Sequence, residues 1–127
     1  MSMQQAVPAS LARTAQVYVN ANVQYLSDQA AFGRADLWRA APMRGTGDCE
    51  DFALAKRAIL LEAGAPLRLV RLALCRTEAD EMHAVLIVTT DEGDLVLDNC
   101  HAQAMRRHEL PYQWLAIEQE GQWSPIA

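Results

Sequence analysis

A cysteine set among three carboxylates is where this chain could do chemistry. Gly47-Asp48-Cys49-Glu50-Asp51 leads from a loop into a helix-forming stretch, Phe52-Ala53-Leu54-Ala55 through Ile59-Leu60-Leu61. Gly45, Thr46 and Gly47 read as loop, and Gly64-Ala65-Pro66 reads as the stop. Cys49 is therefore expected at a helix N-terminus, where backbone N–H groups and the helix dipole favour negative charge on sulfur. Asp48, Glu50 and Asp51 oppose that charge. The setting calls for a compensating cation: a histidinium, a metal ion, or both. His83 stands at the start of one β-rich run and Asp98 at the end of the next. Cys49, His83 and Asp98 supply the three parts of acyl transfer. A thiolate attacks a carbonyl, an imidazole moves the proton, and a carboxylate holds the imidazole's tautomer.

The elements that must position these residues follow from periodicity. Ser10 to Leu26 predicts a helix with Leu11, Ala15, Val19, Val23 and Leu26 near one face and Ser10 as its cap. Ser27 to Thr46, with Trp38 and Pro42, reads as loop or short helices. Glu50 to Ala63 is the second helix, and Leu67 to Cys75 alternates as a strand. Met82 to Thr90 is a continuous β-rich run expected as a central strand. Asp91 to Asp94 turns into a strand at Leu95 to Leu97. Arg107 to Tyr112 reads as irregular, and Gln113 to Ile117 as a last strand. An antiparallel hairpin through that turn would set position 83 opposite 101 or 102, with Asp98 offset by a few residues. Helices followed by antiparallel strands predict an α+β fold in a single domain over residues 1–127.

Composition excludes several function classes. The chain has 127 residues, 51% hydrophobic and 21% charged, with a net charge of −5. The densest basic cluster, Arg106-Arg107-His108, is too short to neutralise a phosphate backbone, so no nucleic-acid partner is expected. No apolar run approaches the roughly 20 residues of a membrane helix, so no membrane insertion is expected. Residues 1–12 lack a basic head followed by an apolar run. That predicts either a cytoplasmic protein or one trimmed of its leader. Three cysteines do not suggest a disulfide framework. Cys75, Cys100, His101 and His108 match no paired-cysteine zinc spacing.

Three blocks in order, Gly47-Asp48-Cys49-Glu50-Asp51-Phe52-Ala53, Met82-His83-Ala84-Val85-Leu86 and Leu95-Val96-Leu97-Asp98-Asn99, resemble the bacterial transglutaminase-like cysteine proteinases. Val19-Asn20, Asp36-Leu37-Trp38 and Pro42 extend the likeness upstream. The resemblance implies a papain-like, transglutaminase-like fold with its N-terminal helices packed on an antiparallel sheet. It implies Cys49 as nucleophile, His83 as general base and Asp98 as orienting carboxylate, acting on a protein or peptide. Periplasmic members of the family clip large biofilm adhesins and require calcium. The matching calcium ligands here are Asp48 and Glu50, with Asp51 as a third, and hard oxygen ligands suit Ca²⁺. The bland alternatives are an N-cap at Asp48 and first-turn acids at Glu50 and Asp51. The backbone N–H of Cys49 is the expected oxyanion donor. Trp38, Tyr112, Trp114 and Trp123 are expected as core, cleft-wall or edge aromatics. The same triad would serve a transamidase, deamidase or cell-wall amidase. A calcium-responsive binding module with a degenerate site is the non-enzymatic alternative.

Overall fold

The computed structural model describes residues 4–22 and 49–126. Among the described residues, two helices, α1 (Ala9–Ala21) and α2 (Cys49–Glu62), precede strands β1 (Val70–Arg76), β2 (Met82–Thr90), β3 (Gly93–Leu97), β4 (Gln113–Gln119) and β5 (Gln122–Pro125). The strands form one antiparallel sheet in the order β3-β2-β1-β4-β5. The α+β expectation holds.

The β-rich composition of β1 to β3 suits a sheet buried on both faces. Leu72, Leu74, Ala84, Leu86, Val88, Leu95 and Leu97 meet α1 and α2 on one face. Ala73, Val85, Ile87 and Val96 point the other way, where Met105, Leu110, Tyr112 and Trp114 cover them. Fully burying a leucine such as Leu60 or Leu86 stabilises the fold by roughly 1.5–3 kcal/mol. The helix α1 turns small residues inward, with Ala9, Ala12, Ala15 and Val19 buried, and this allows close approach to α2. At its far end α2 closes in a Schellman turn. Ala65 N–H donates to Leu60 O and Gly64 N–H to Leu61 O, each at 3.0 Å. Gly64 has φ +107°, which disfavours a side chain, and Pro66 prevents continuation. A buried ion pair, Arg57 Nη1 to Glu118 Oε1 at 3.0 Å, ties α2 to β4.

Several boundaries differ from the sequence reading. Ser10 is not the cap of α1, because it lies inside the helix and its carbonyl accepts the Thr14 hydroxyl. Pro8 occupies the cap position, and the Ala9 N–H is satisfied by Asp91 Oδ1 at 3.0 Å. The helix ends at Ala21, where the Asn22 side chain bonds the Tyr18 carbonyl. Val23, Leu26 and the stretch Ser27 to Thr46 with Trp38 lie outside the described residues. Leu67–Leu69, expected as strand, is a 3₁₀ turn after Pro66. The strand β2 is a central strand, as expected, paired with β1 on one side and β3 on the other, while β4 returns to pair with β1. Gln113 begins β4, not a last strand, and Gln122–Pro125 adds β5. The β2–β3 hairpin is tighter than expected. Thr90 pairs with Gly93, whose φ of +98° permits the turn. Leu86 pairs with Leu97, so the register sets position 83 opposite 100 rather than 101 or 102.

One core residue is costly. Lys56 is fully buried on α2, and its Nζ has no hydrogen-bond partner among the described residues, with the Phe52 ring 5.8 Å away. Burial pushes its ammonium down to about 8, against a partial pull from Asp98. A lysine depressed in the folded state opposes folding while both states are charged, and the penalty fades as pH rises from about 8 toward 10.5. Lys56→Met should therefore raise Tm by about 5 °C at pH 7. The gap between the two proteins should close as pH approaches 10.5. Thermal melts from pH 6 to 10 check this, and a lower Tm for the variant at pH 7 would show that the ammonium stabilises the fold.

Candidate active site

The start of β2 and the end of β3 lie at the same end of the sheet. By alternation His83 shares the parity of Val85 and Ile87, and Asp98 that of Val96, so both belong to the face away from the helices. Asp98 follows the last residue of β3 and is released from the ladder to turn its carboxylate inward. Cys49 is the first residue of α2, as expected. The packing of α2 on β2 carries its sulfur to the backbone beside His83, where Ala84 N–H donates to Sγ at 3.2 Å.

His83 and Asp98 are joined at 2.7 Å between Nε2 and Oδ1. That bond assigns the proton to Nε2 and leaves Nδ1 for the thiol, which hydrogen-bonds the same ring. All three side chains are buried, Cys49 and His83 at 6% exposure and Asp98 at 0%. Burial alone would lower the histidine's pKa. The Asp98 bond and the Cys49 bond outweigh it, and His83 is pushed up to about 9. Burial alone would raise Asp98, but donors from His83, Tyr112 and the Cys100 backbone hold it well below the usual carboxylate range.

Asp98 has four donors around it. Oδ1 accepts from His83 Nε2 and from Cys100 N–H at 2.9 Å. Oδ2 accepts the Tyr112 hydroxyl at 2.6 Å and faces His101 Nδ1 at 3.2 Å. Tyr112 also stands edge-on to the His83 ring, with centroids 5.6 Å apart. Sequence reasoning took Tyr112 for a core or edge aromatic and weighed His101 only as a zinc ligand. The i, i+3 spacing of Asp98 and His101 was a usable local signal; Tyr112 arrives through the approach to β4, which no local pattern announces. Burial and neighbouring negative charge raise the Tyr112 hydroxyl above its ordinary value, so it stays a donor.

Cys49, Met82, His83, Asn99, Cys100 and Tyr112 line part of an open cleft of about 520 Å³, with Glu78 and Glu81 on its rim. Cys75 is fully buried, and burial with the Asp98 charge pushes its thiol up to about 12. It is a core thiol. Glu50 and Asp51 are buried carboxylates in the first turn of α2, while Asp48 lies outside the described residues. The carboxylates of this segment are hard donors that fit Ca²⁺. His83, Asp98 and Cys100 also bring ligand atoms within 4.8 Å of one another. Nitrogen and sulfur donors do not suit calcium, and the Asp98 oxygens are already occupied.

Comparison with solved structures returns Legionella pneumophila LapG. The EGTA-treated form has 24% identity and a TM-score of 0.57, covering 64% of this chain and 46% of that one. The calcium-bound form has 24% identity and a TM-score of 0.56, covering 63% and 46%. The chain thus spans about half the length of these neighbours. At this identity the likeness establishes the fold, which is transglutaminase-like. Comparison with curated proteins returns no match. The family profile, by contrast, aligns with residues 2–127, and so the chain that carries this cysteine, histidine and aspartate belongs to the bacterial transglutaminase-like cysteine proteinases.

Proposed function

We propose that this domain is a cysteine peptidase in which Cys49 is the nucleophile, His83 the general base and acid, and Asp98 the orienting carboxylate. One observation carries the reading: an unbroken hydrogen-bonded line from thiol to imidazole to buried carboxylate at the wall of a cleft. Below about pH 9 the proton of the pair is held on the His83 ring, and the Cys49 sulfur bonds to the carbonyl carbon of a peptide. The carbonyl oxygen takes up the electron pair, with the Cys49 backbone N–H at the helix start as donor. The C–N bond breaks as His83 returns the proton to the leaving amine, leaving a thioester. Water, deprotonated by His83, then cleaves the thioester and restores the thiol. Asp98 keeps the ring oriented and stabilises the imidazolium in both steps. Met82, Asn99 and Cys100 wall the space beside the sulfur, which fits an extended polypeptide substrate. Asp48, Glu50 and Asp51 are the proposed calcium ligands, and the cation would offset the negative charge around the sulfur.

The nucleophile is tested without a substrate. Iodoacetamide at pH 7 should modify Cys49 at least about tenfold faster than Cys100, whose thiol is raised by burial and by Asp98. Peptide mapping by mass spectrometry reads both rates, and equal rates would remove the nucleophile assignment.

The base is tested by pH. His83 holds its proton until pH rises through about 9, so the alkaline limb of kcat/KM on fluorescein-labelled casein should fall there. Asp98→Asn removes the anion that favours the imidazolium. That limb should move down toward an ordinary histidine, and kcat should drop by about 10²- to 10⁴-fold. A limb that stays near 9 in the variant would exclude Asp98 as the partner of the base.

Calcium is tested by linkage. Millimolar Ca²⁺ should raise Tm, by as much as about 2.7 kcal/mol of stability at a hundredfold excess over Kd. Glu50→Gln should lose most of that shift. A shift that survives in Glu50→Gln and Asp48→Ala would return both residues to helix capping.

A further inference from the structure

The Asp98 carboxylate can serve His83 only if the turn that carries it is held still, and β3 ends one residue earlier. That turn is closed by its own bond from His101 N–H to Asp98 O at 3.3 Å, which is long. A stronger hold comes from α1, about 80 residues earlier in the chain. Gln16 Nε2 donates to Asp98 O at 2.9 Å and to His101 O at 2.8 Å, with Gln103 O at 3.4 Å. One helical turn on, Asn20 Nδ2 donates to His101 O at 3.0 Å, with Asp98 O at 3.4 Å. Both amides thus bridge the first and last carbonyls of the same turn.

The residue types fit the task. A side-chain amide offers two N–H donors without charge, whereas a hydroxyl offers one and an ammonium would add a second buried cation beside Lys56. Two aligned amides four residues apart on one helix face can grip two carbonyls at once. The arrangement also carries a cost. Gln16 is fully buried, and neither Gln16 Oε1 nor Asn20 Oδ1 has a hydrogen-bond partner among the described residues. A leucine at position 16 would suit the apolar face formed by Ala12, Ala15 and Val19 without that penalty. Half-satisfied buried amides, retained where an apolar residue would pack, point to a geometric task beyond stability.

We infer that Gln16 and Asn20 are positioning residues that clamp the Asp98–His101 turn and through it aim the Asp98 carboxylate at His83. This rests on the proposed role of His83 and Asp98, but its test does not require peptidase activity. The His83 ring is titrated by NMR in intact protein, and the iodoacetamide rate at Cys49 is followed in parallel. In Gln16→Leu the Asp98–His83 bond should loosen. The His83 midpoint should then fall by one pH unit or more, and Cys49 alkylation at pH 7 should slow about tenfold. Relief of the unpaired Gln16 Oε1 offsets part of the loss of its two carbonyl bonds, and the His83 midpoint, read on folded protein, is the quantity a merely structural residue would not move. Gln16→Glu keeps the shape but turns an acceptor toward two carbonyls, and it should show the same loss. Should Gln16→Leu fail to fold, Asn20→Ala at the half-buried end of the clamp should move the His83 midpoint in the same direction by a smaller amount. A His83 midpoint unchanged in the folded variants would overturn the clamp. A His83 midpoint that falls in Gln16→Leu, with casein hydrolysis absent even in the parent protein, would keep the clamp and overturn the peptidase reading.

Discussion

A single buried anion organises this molecule. Asp98 is fully enclosed, and an isolated carboxylate at that depth would take up a proton instead of holding a charge. It stays ionised because two histidines, a tyrosine hydroxyl and a backbone N–H converge on its two oxygens. Those donors come from β2, from the turn after β3 and from the segment before β4. Satisfying one carboxylate therefore specifies how three parts of the chain meet. The sheet register brings the β2 and β3 ends together, and the covering segment 98–112 delivers Tyr112 over the top.

The apolar sheet makes this polar arrangement affordable. Leu86, Leu97, Val85 and Val96 are fully or almost fully buried around it, so the hydrophobic gain is large where the polar cost is concentrated. The costs are visible on the helix side. Lys56 Nζ, Gln16 Oε1 and Asn20 Oδ1 are buried polar atoms without hydrogen-bond partners among the described residues. Asp98 attracts the Lys56 charge, and its backbone carbonyl accepts from both amides. Two of these groups belong to amides that grip the Asp98 backbone and the third carries a charge that Asp98 attracts, while separate donors satisfy its carboxylate. Such a concentration of polar strain is expected at a working site and not in a core selected for stability alone.

What the sequence made legible follows the range of the interaction. The position of Cys49 was readable because a helix start is a local event, marked by Gly47 before it and apolar residues after it. The β2 run was readable for the same reason. The Ser10 cap was misread because the true acceptor, Asp91, lies 82 residues away. The clamp from Gln16 has the same separation and left no periodic trace. The extent of β4 and the existence of β5 were missed since Gln113–Gln119 is only partly buried at the sheet's polar side, and its alternation is weak. The register error came from one residue of turn geometry at Gly93, which shifts every cross-strand partner after it.

The dispersal of the site has a consequence for how it can fail. Cys49 is placed by α2, His83 by β2, Asp98 by the end of β3, and the supports come from α1 and from the approach to β4. No contiguous segment holds more than a fragment of the arrangement. The sulfur is fixed by Ala84 N–H, a bond that exists only while α2 lies on β2. The imidazole is fixed by a carboxylate whose turn is gripped by α1. Small separations of either helix from the sheet would misalign the thiol or the carboxylate before the core opened, because these hydrogen bonds are short-range and directional while hydrophobic burial is not. Catalytic geometry is thus the most demanding part of the fold, and the helix–sheet contacts matter here more for alignment than for the stability they supply.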